Sequence, residues 1–271
     1  MKKGIRGHDV KAVGLNNISE KCVDNGIEYL QLVLEKSVQD FKYGIFSKEY
    51  AKTLKNELCG VKLAVLGSYI NPSNPDEEAL RSDIAKFKEK IKYASVLSPI
   101  VVGTETGIYK EGETDSEAAY QRVLATIKEL TFEAEKYGVN VGVEMVGCFV
   151  INSPKKLKRL IEDIGSDNIK AIFDPVNIIN IENYQNQDEI IKETFDLLGD
   201  RICTIHAKDF CVEKGVLKMV KPTEGLLNYR LIFEKLKENN LDIPIICEEI
   251  NDDDAKIAFE KLTKIQQSIL Q

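Results

Sequence analysis

Tryptophan is absent from these 271 residues, histidine occurs only twice, and glycine and proline number 17 and 7. So little Gly and Pro excludes a collagen-like or low-complexity chain. Two histidines, His8 and His206, cannot build a multinuclear zinc centre that needs many imidazoles. The six cysteines are dispersed and form no CxxC pair, which argues for reduced thiols against a disulfide framework or a cysteine zinc site. No apolar run approaches the roughly 18–20 residues that a membrane-spanning helix needs. The opening MKKGIRGHDV has lysines with no apolar run behind them, so no secretory leader is expected and the reading is of a cytoplasmic enzyme. An excess of basic charge is also missing. With 37 Lys+Arg against 44 Asp+Glu the net charge is −7, whereas a nucleic-acid binder draws most of its affinity from Lys and Arg on phosphates. Neither nucleic acid nor a membrane is expected as a partner.

What the chain does have is enough apolar material, 43% of residues, for a large single core. Short runs rich in Val and Ile alternate with longer amphipathic segments. Strands are predicted at 3–9, 28–34, 61–67, 99–104, 140–146, 169–174, 201–206 and 243–248, with starts 25–42 residues apart. That spacing fits a strand, a helix and two short loops. Helical patterns cover 77–95, 116–137, 186–199 and 253–269, and Ser153-Pro154 supplies a cap residue followed by proline at a first helical position. Gly138 follows the second of these helices, where a left-handed residue is wanted. No linker divides the chain. Eight strand–helix units in residues 1–271 predict an α/β protein, a single-domain (β/α)8 TIM barrel. The competing doubly wound sheet usually carries a Gly-rich phosphate loop after its first strand, and GIRGHD is not one.

Function in such a barrel sits at the carboxyl ends of the strands. The last four predicted strands end in Glu144, Asp174, His206 and Glu248. Alternation along each strand assigns Val143, Phe173, Ile205, Cys203 and Cys247 to the helix-facing side, and Gly142, Ile172, Thr204 and Ile246 to the interior. All four polar residues then point to the barrel axis, and Glu249 points away. Three carboxylates in a partly dry cavity repel one another unless a cation sits among them. With one imidazole they form an oxygen-rich set suited to Mn²⁺, Mg²⁺ or Co²⁺, with Zn²⁺ also open. His8, at the end of the first strand, is either a substrate contact or a satisfied core histidine.

This order of motifs resembles the xylose isomerase-like TIM barrels, the sugar phosphate isomerase/epimerase superfamily. GVEM, FDPVN, HAKD and ICEE stand at that family's metal-bearing positions, and GIRGHD, LAVLGSYINP and VVGTETG resemble one bacterial subgroup. The resemblance implies that Glu144, Asp174, His206 and Glu248 hold one divalent metal ion, Mn²⁺ first. It also implies that Glu144 and Glu248 are catalytic, shuttling a proton next to a carbonyl through an enediolate. The expected partner is a small-molecule carbohydrate: a sugar, sugar phosphate or cyclitol ketone. A homo-oligomer paired through the helices is left open. Tyr69, Asn71, Glu105, Asn177 and Lys208 are candidate substrate contacts, with Lys208 alternatively a salt bridge; Gln31 is a weaker candidate, and Lys221 is expected to be solvated. Asn177 stands where ketose 3-epimerases carry histidine, and HAKD replaces their Gly-Glu…Arg segment, so free-ketose 3-epimerisation is not specifically indicated. The leading expectation is an isomerase or epimerase. The alternatives are a metal-dependent inosose-type dehydratase, which begins with the same proton abstraction, and a non-catalytic sugar-binding barrel.

Overall fold

The computed structural model describes residues 1–270, with side chains through Ile269. The Val/Ile runs become β1 (Lys2–Arg6), β2 (Tyr29–Leu32), β3 (Lys62–Gly67), β4 (Val101–Thr104), β5 (Val141–Glu144), β6 (Ile169–Phe173), β7 (Ile202–Ala207) and β10 (Pro244–Cys247). They are parallel and close on themselves in the order β1-β10-β7-β6-β5-β4-β3-β2. The chain is a TIM barrel. Between the strands run α1 (Leu15–Asp24), the single turn α2 (Leu34–Ser37), α3 (Lys48–Glu57), α4 (Glu77–Leu97), α5 (Glu117–Glu135), α6 (Pro154–Ile164), the turn α7 (Pro175–Ile178), α8 (Gln187–Leu198), α9 (Tyr229–Glu238) and α10 (Asp252–Leu270). No helix among the described residues is long and apolar enough to cross a membrane.

Local chemistry starts these helices where the side chains can satisfy free amides. The Asp76 carboxylate accepts from the Glu78 and Ala79 amides, Ser116 Oγ from Ala119, and Ser153 Oγ from Lys156 with Pro154 at the first turn. Gly138 is left-handed, as expected. An additional antiparallel hairpin, β8 (Asp209–Glu213) with β9 (Val216–Val220), follows β7 and was not anticipated. Its loop is Lys214-Gly215, both at positive φ, the two-residue geometry that matches strand twist.

Most of the core lies between barrel and helix ring, where Ile5, Leu30, Val143 and Phe173 meet Phe87, Ile127, Leu160 and Phe259. A second, smaller cluster of Tyr29, Val65, Val101, Ile172 and Ile246 fills the barrel itself. Glycine makes room for it. A Cβ on Gly4 would lie 2.2 Å from Ile246, and one on Gly103 would lie 2.5 Å from Val65 and 2.9 Å from Ile172. Two register shifts depart from strict alternation. Ala171 and Ile172 pair with Ile202 and Thr204, which leaves Cys203 as an extra residue of β7. Its side chain joins the interior cluster, so the helix-facing position expected for Cys203 is corrected: the bulge resets the phase. Ala64 is the matching extra residue of β3.

Gly103→Ala is expected to lower stability by about 1–3 kcal/mol, because nothing opposite it can retreat without moving the next strand. A lowered denaturant midpoint at unchanged slope is the signature. An unchanged midpoint would show slack in the interior layer.

Candidate active site

Each of the four strand-end residues is placed by its own local device. Glu144 is the last residue of β5 and His206 lies within β7. Asp174 caps α7, its Oδ1 accepting from the amides of Val176 at 3.0 Å and Asn177 at 3.2 Å, with Pro175 pre-set for the first turn. The cap leaves Oδ2 aimed into the site. Glu248 follows β10, and the chain turns sharply after it, with Glu249 at φ 56. A left-handed glutamate is uncommon and is the kind of strain that functional sites store. The turn sends Glu248 inward and Glu249 outward, to an ion pair with Arg6.

The four groups meet. His206 Nδ1 lies 3.2 Å from Glu144 Oε1, 3.3 Å from Glu248 Oε1 and 3.9 Å from Asp174 Oδ2, and all four residues are at most 3% exposed. Lys208 Nζ bridges Asp174 Oδ2 at 2.8 Å and Glu248 Oε2 at 2.9 Å. Asn177 Nδ2 donates to Glu144 Oε1 at 2.7 Å, and its Oδ1 accepts from Lys208 at 3.3 Å. Gln31 Nε2 donates to Glu248 Oε1 at 3.0 Å and to the Tyr69 hydroxyl at 2.7 Å. Arg6 reaches Glu248 Oε2 at 3.6 Å while holding Asp9 through two bonds.

Burial and like charge set the acidities. Burial pushes Asp174 up to about 6 against the pull of Lys208, with Glu144 and Glu248 adding to the rise. Burial would also raise Glu248, but His206, Lys208 and Arg6 outweigh it and hold the carboxyl at about 2. For His206 burial favours the neutral ring, yet Glu248 and Glu144 bring it up to about 9. Glu105, after β4, is pushed to about 7 by burial and then by Glu144. Among the described residues its carboxylate has no hydrogen-bond or ion-pair partner, and it lines a cavity of about 570 Å³ with Glu144, Glu248, Lys208 and Tyr69.

The candidate contacts thus divide. Asn177 and Lys208 touch the four-residue cluster directly, Glu105 and Tyr69 stand on the cavity wall, and Tyr69 reaches the cluster through Gln31. His8 is corrected in one respect. The first strand stops at Arg6, and His8 sits in the one-turn helix Gly7–Asp9 at the cavity rim. Asn71 ties its own loop to the one after β4, donating to the Ile108 carbonyl and accepting from Ser73. Lys221 pairs with Asp254 at the surface. Arg6 was missed, although its phase with the interior Gly4 pointed there. Gln31 was undervalued because it lies inside a strand that stops only one residue later.

The donor set fits a divalent cation. Ligand atoms of Glu144, Asp174 and His206 all lie within 4.8 Å of one another, about twice a usual metal–oxygen distance. Apart from the Lys208 ammonium, Asp174 Oδ2 is buried without a partner. Glu248 joins the set through its 3.3 Å approach to His206.

Residues 19–269 match the model of the xylose isomerase-like TIM barrel family, and the chain belongs to that family. It is 25% identical over 265 residues to the inosose isomerase of Bacillus velezensis (strain DSM 23117 / BGSC 10A6 / LMG 26770 / FZB42), covering 90% of this chain and 86% of that protein. Among solved structures, a D-tagatose 3-epimerase-like protein superposes with TM-score 0.80 at 22% identity, covering 99% of this chain and 98% of the other. The IolI protein with a bound zinc atom gives TM-score 0.76 at 19% identity, covering 99% of each.

Mn²⁺ added to chelator-stripped protein is expected to raise the melting temperature by roughly 5–10 °C at a hundredfold excess over Kd, since a ligand of the folded state alone stabilises it by RT ln(1+[L]/Kd). Glu144→Gln and Asp174→Asn should each remove most of the rise. A well-folded wild type with no rise would show that the four residues do not bind the ion.

Proposed function

We propose that this protein is a divalent-metal-dependent isomerase or epimerase of a sugar, sugar phosphate or cyclitol ketone. The observation that carries the reading is the burial of three carboxylates and one imidazole nitrogen around a single point of the cavity. The inosose isomerase activity named for the Bacillus relative supports a ketone of this class. Glu144, Asp174, His206 and Glu248 would hold the cation. When bound, it supplies positive charge against the oxygen anion that develops as a carbon next to a carbonyl loses its proton.

The remaining work falls to the chain itself. Glu144 and Glu248 come from the two ends of the β10-β7-β6-β5 run, so they reach a central substrate from different sides. One carboxylate, ionised, takes the proton from carbon as the carbonyl oxygen gains the negative charge. The other, which enters protonated, gives its proton to the opposite face of that carbon, or to the former carbonyl carbon while the neighbouring hydroxyl passes its proton to the former carbonyl oxygen. The first outcome is epimerisation and the second isomerisation. Lys208 fixes the orientation of Glu248 and Asp174, Gln31 that of Glu248, and Asn177 that of Glu144, because each donates to the carboxylate it touches.

Glu105 favours a second reading. Its carboxyl lines the cavity beside Glu144 and Glu248, has no hydrogen-bond or ion-pair partner among the described residues, and is pushed up by burial. It can therefore carry a proton that leaves with a β-hydroxyl as water after the same abstraction. That reaction is a dehydration.

Incubation of ketoses and inososes in D₂O with the Mn²⁺-loaded protein is expected to show exchange of the α-proton, lost by at least a thousandfold in Glu144→Gln and in Glu248→Gln while both remain folded. Full activity in either variant refutes the assignment. Product mass separates the two readings, since isomerisation conserves it and dehydration subtracts one water.

A further inference from the structure

Lys90 lies in the middle of α4 and is completely buried, away from the four-residue cluster. An ammonium without water costs several kcal/mol unless charge and dipoles surround it. Here they do. Its Nζ lies 2.5 Å from Glu35 Oε2 and donates to the Gly67 carbonyl at 3.1 Å, at the end of β3. The rings of Phe41 and Tyr43 face it at 5.4 and 5.5 Å. Phe41 and Phe46 pack edge-on against Tyr93, one turn further along α4, and the Gly44 amide donates to Glu89. The irregular segment 38–47 is therefore pinned to α4 around this one ammonium.

The pin has a functional face. Glu35 and Tyr43 both line the same cavity as Glu144 and Glu248, and the Tyr43 hydroxyl donates to Glu35 Oε1. A carboxylate offers about four acceptor positions. Lys90 and Tyr43 occupy two, and the Glu35 side chain is still 35% exposed.

We propose that Glu35 is a specificity-determining residue that accepts hydrogen bonds from hydroxyls of an uncharged polyol portion of the substrate, with Lys90 as its positioning residue. The substrate class rests on the reading above, a carbonyl compound bound at the four-residue cluster. Hydroxyl donors on a fixed carboxylate give charge-assisted bonds. A phosphate on this wall would instead face Glu35 and Asp83. Asp83 already holds Lys86 at 3.1 Å, so Lys36 is the one ammonium lining the cavity there without an ion-pair partner among the described residues. An unphosphorylated ketose or ketocyclitol fits better than its phosphate.

Titration calorimetry on the Mn²⁺-loaded full chain tests this, with D-tagatose and 2-keto-myo-inositol as uncharged probes and D-tagatose 6-phosphate as the anionic one. At least one uncharged probe should bind more tightly than the phosphate. Glu35→Gln should weaken that probe by about tenfold or more and narrow its advantage over the phosphate. The melting temperature of this variant should fall, because the buried Lys90 loses its charged partner. The double variant Glu35→Gln/Lys90→Met, which removes the buried charge as well, should show the same loss of binding. Lys90→Met should weaken the probe to a similar extent; if it fails to fold, Glu35→Gln decides alone. Tighter binding of the phosphate, no binding of either uncharged probe, or wild-type binding by Glu35→Gln overturns the proposal. Loss of the catalytic reading looks different: no α-proton exchange, with the preference for the uncharged probe intact.

Discussion

Three carboxylates buried around one imidazole set the terms for this molecule. Ligand atoms of Glu144 and Asp174 lie within 4.8 Å of each other, and buried like charges that close repel strongly, so every neighbour must help to offset them. The surroundings are arranged accordingly. Lys208 lies across Asp174 and Glu248, Asn177 donates to Glu144, Gln31 donates to Glu248, and the α7 amides hold the far oxygen of Asp174. The helpers come from three places: strand β2, the end of β7 and the turn behind β6. A parallel barrel gathers those ends in one place, which a flat sheet with the same residues would spread along an edge.

The layer beneath the site is what makes the arrangement rigid. Ile172 and Ile246 lie two residues before Asp174 and Glu248, in the same phase, so the residues that fill the barrel also fix the direction of the carboxylates above them. Glycines at 4, 103 and 142 admit those large side chains. The bulges at Ala64 and Cys203 add a residue to β3 and β7 without moving His206 off the axis, because the extra residue falls before it. Tight packing below and polar contacts above leave the four groups few ways to drift apart.

Much of this was legible in the sequence, for physical reasons. Fully buried parallel strands leave dense Val/Ile runs, and the polar residue that ends each run stands out against them. Phase then placed Glu144, Asp174, His206 and Glu248 together, and placed Glu249 outside. The same logic failed at Cys203, since a bulge leaves no compositional trace when its extra residue is small and apolar. Gln31 was hard to weigh because strand β2 carries it inside a hydrophobic stretch, and only the closed barrel brings it to Glu248, 217 residues away. The hairpin after β7 is hard to read because its burial does not alternate cleanly: β8 begins buried and ends exposed, and β9 is partly or fully exposed throughout. Lys90 was invisible. Its helix reads as amphipathic, and only the fold shows that this lysine faces inward.

Charge accounting ties the cluster to its chemistry. Arg6 is already committed to Asp9 and Glu249, so Lys208 is the one cation fully engaged with the buried carboxylates. With the imidazole neutral, the cluster carries two uncompensated negative charges. Protons are one remedy: the carboxylates Glu248 and Glu144 bring His206 up to about 9 against its burial, and burial, with Glu144 and Glu248 adding to it, brings Asp174 up to about 6. A divalent cation is the other, and it cancels the same excess while releasing those protons. The two remedies compete for the same atoms. A bound cation would let the carboxylates ionise, which the proposed proton abstraction needs of one of Glu144 and Glu248, while the other must carry the proton it returns. The crowding of negative charge that makes this cluster hold protons is thus also what would suit it, in the proposed reaction, to a divalent cation.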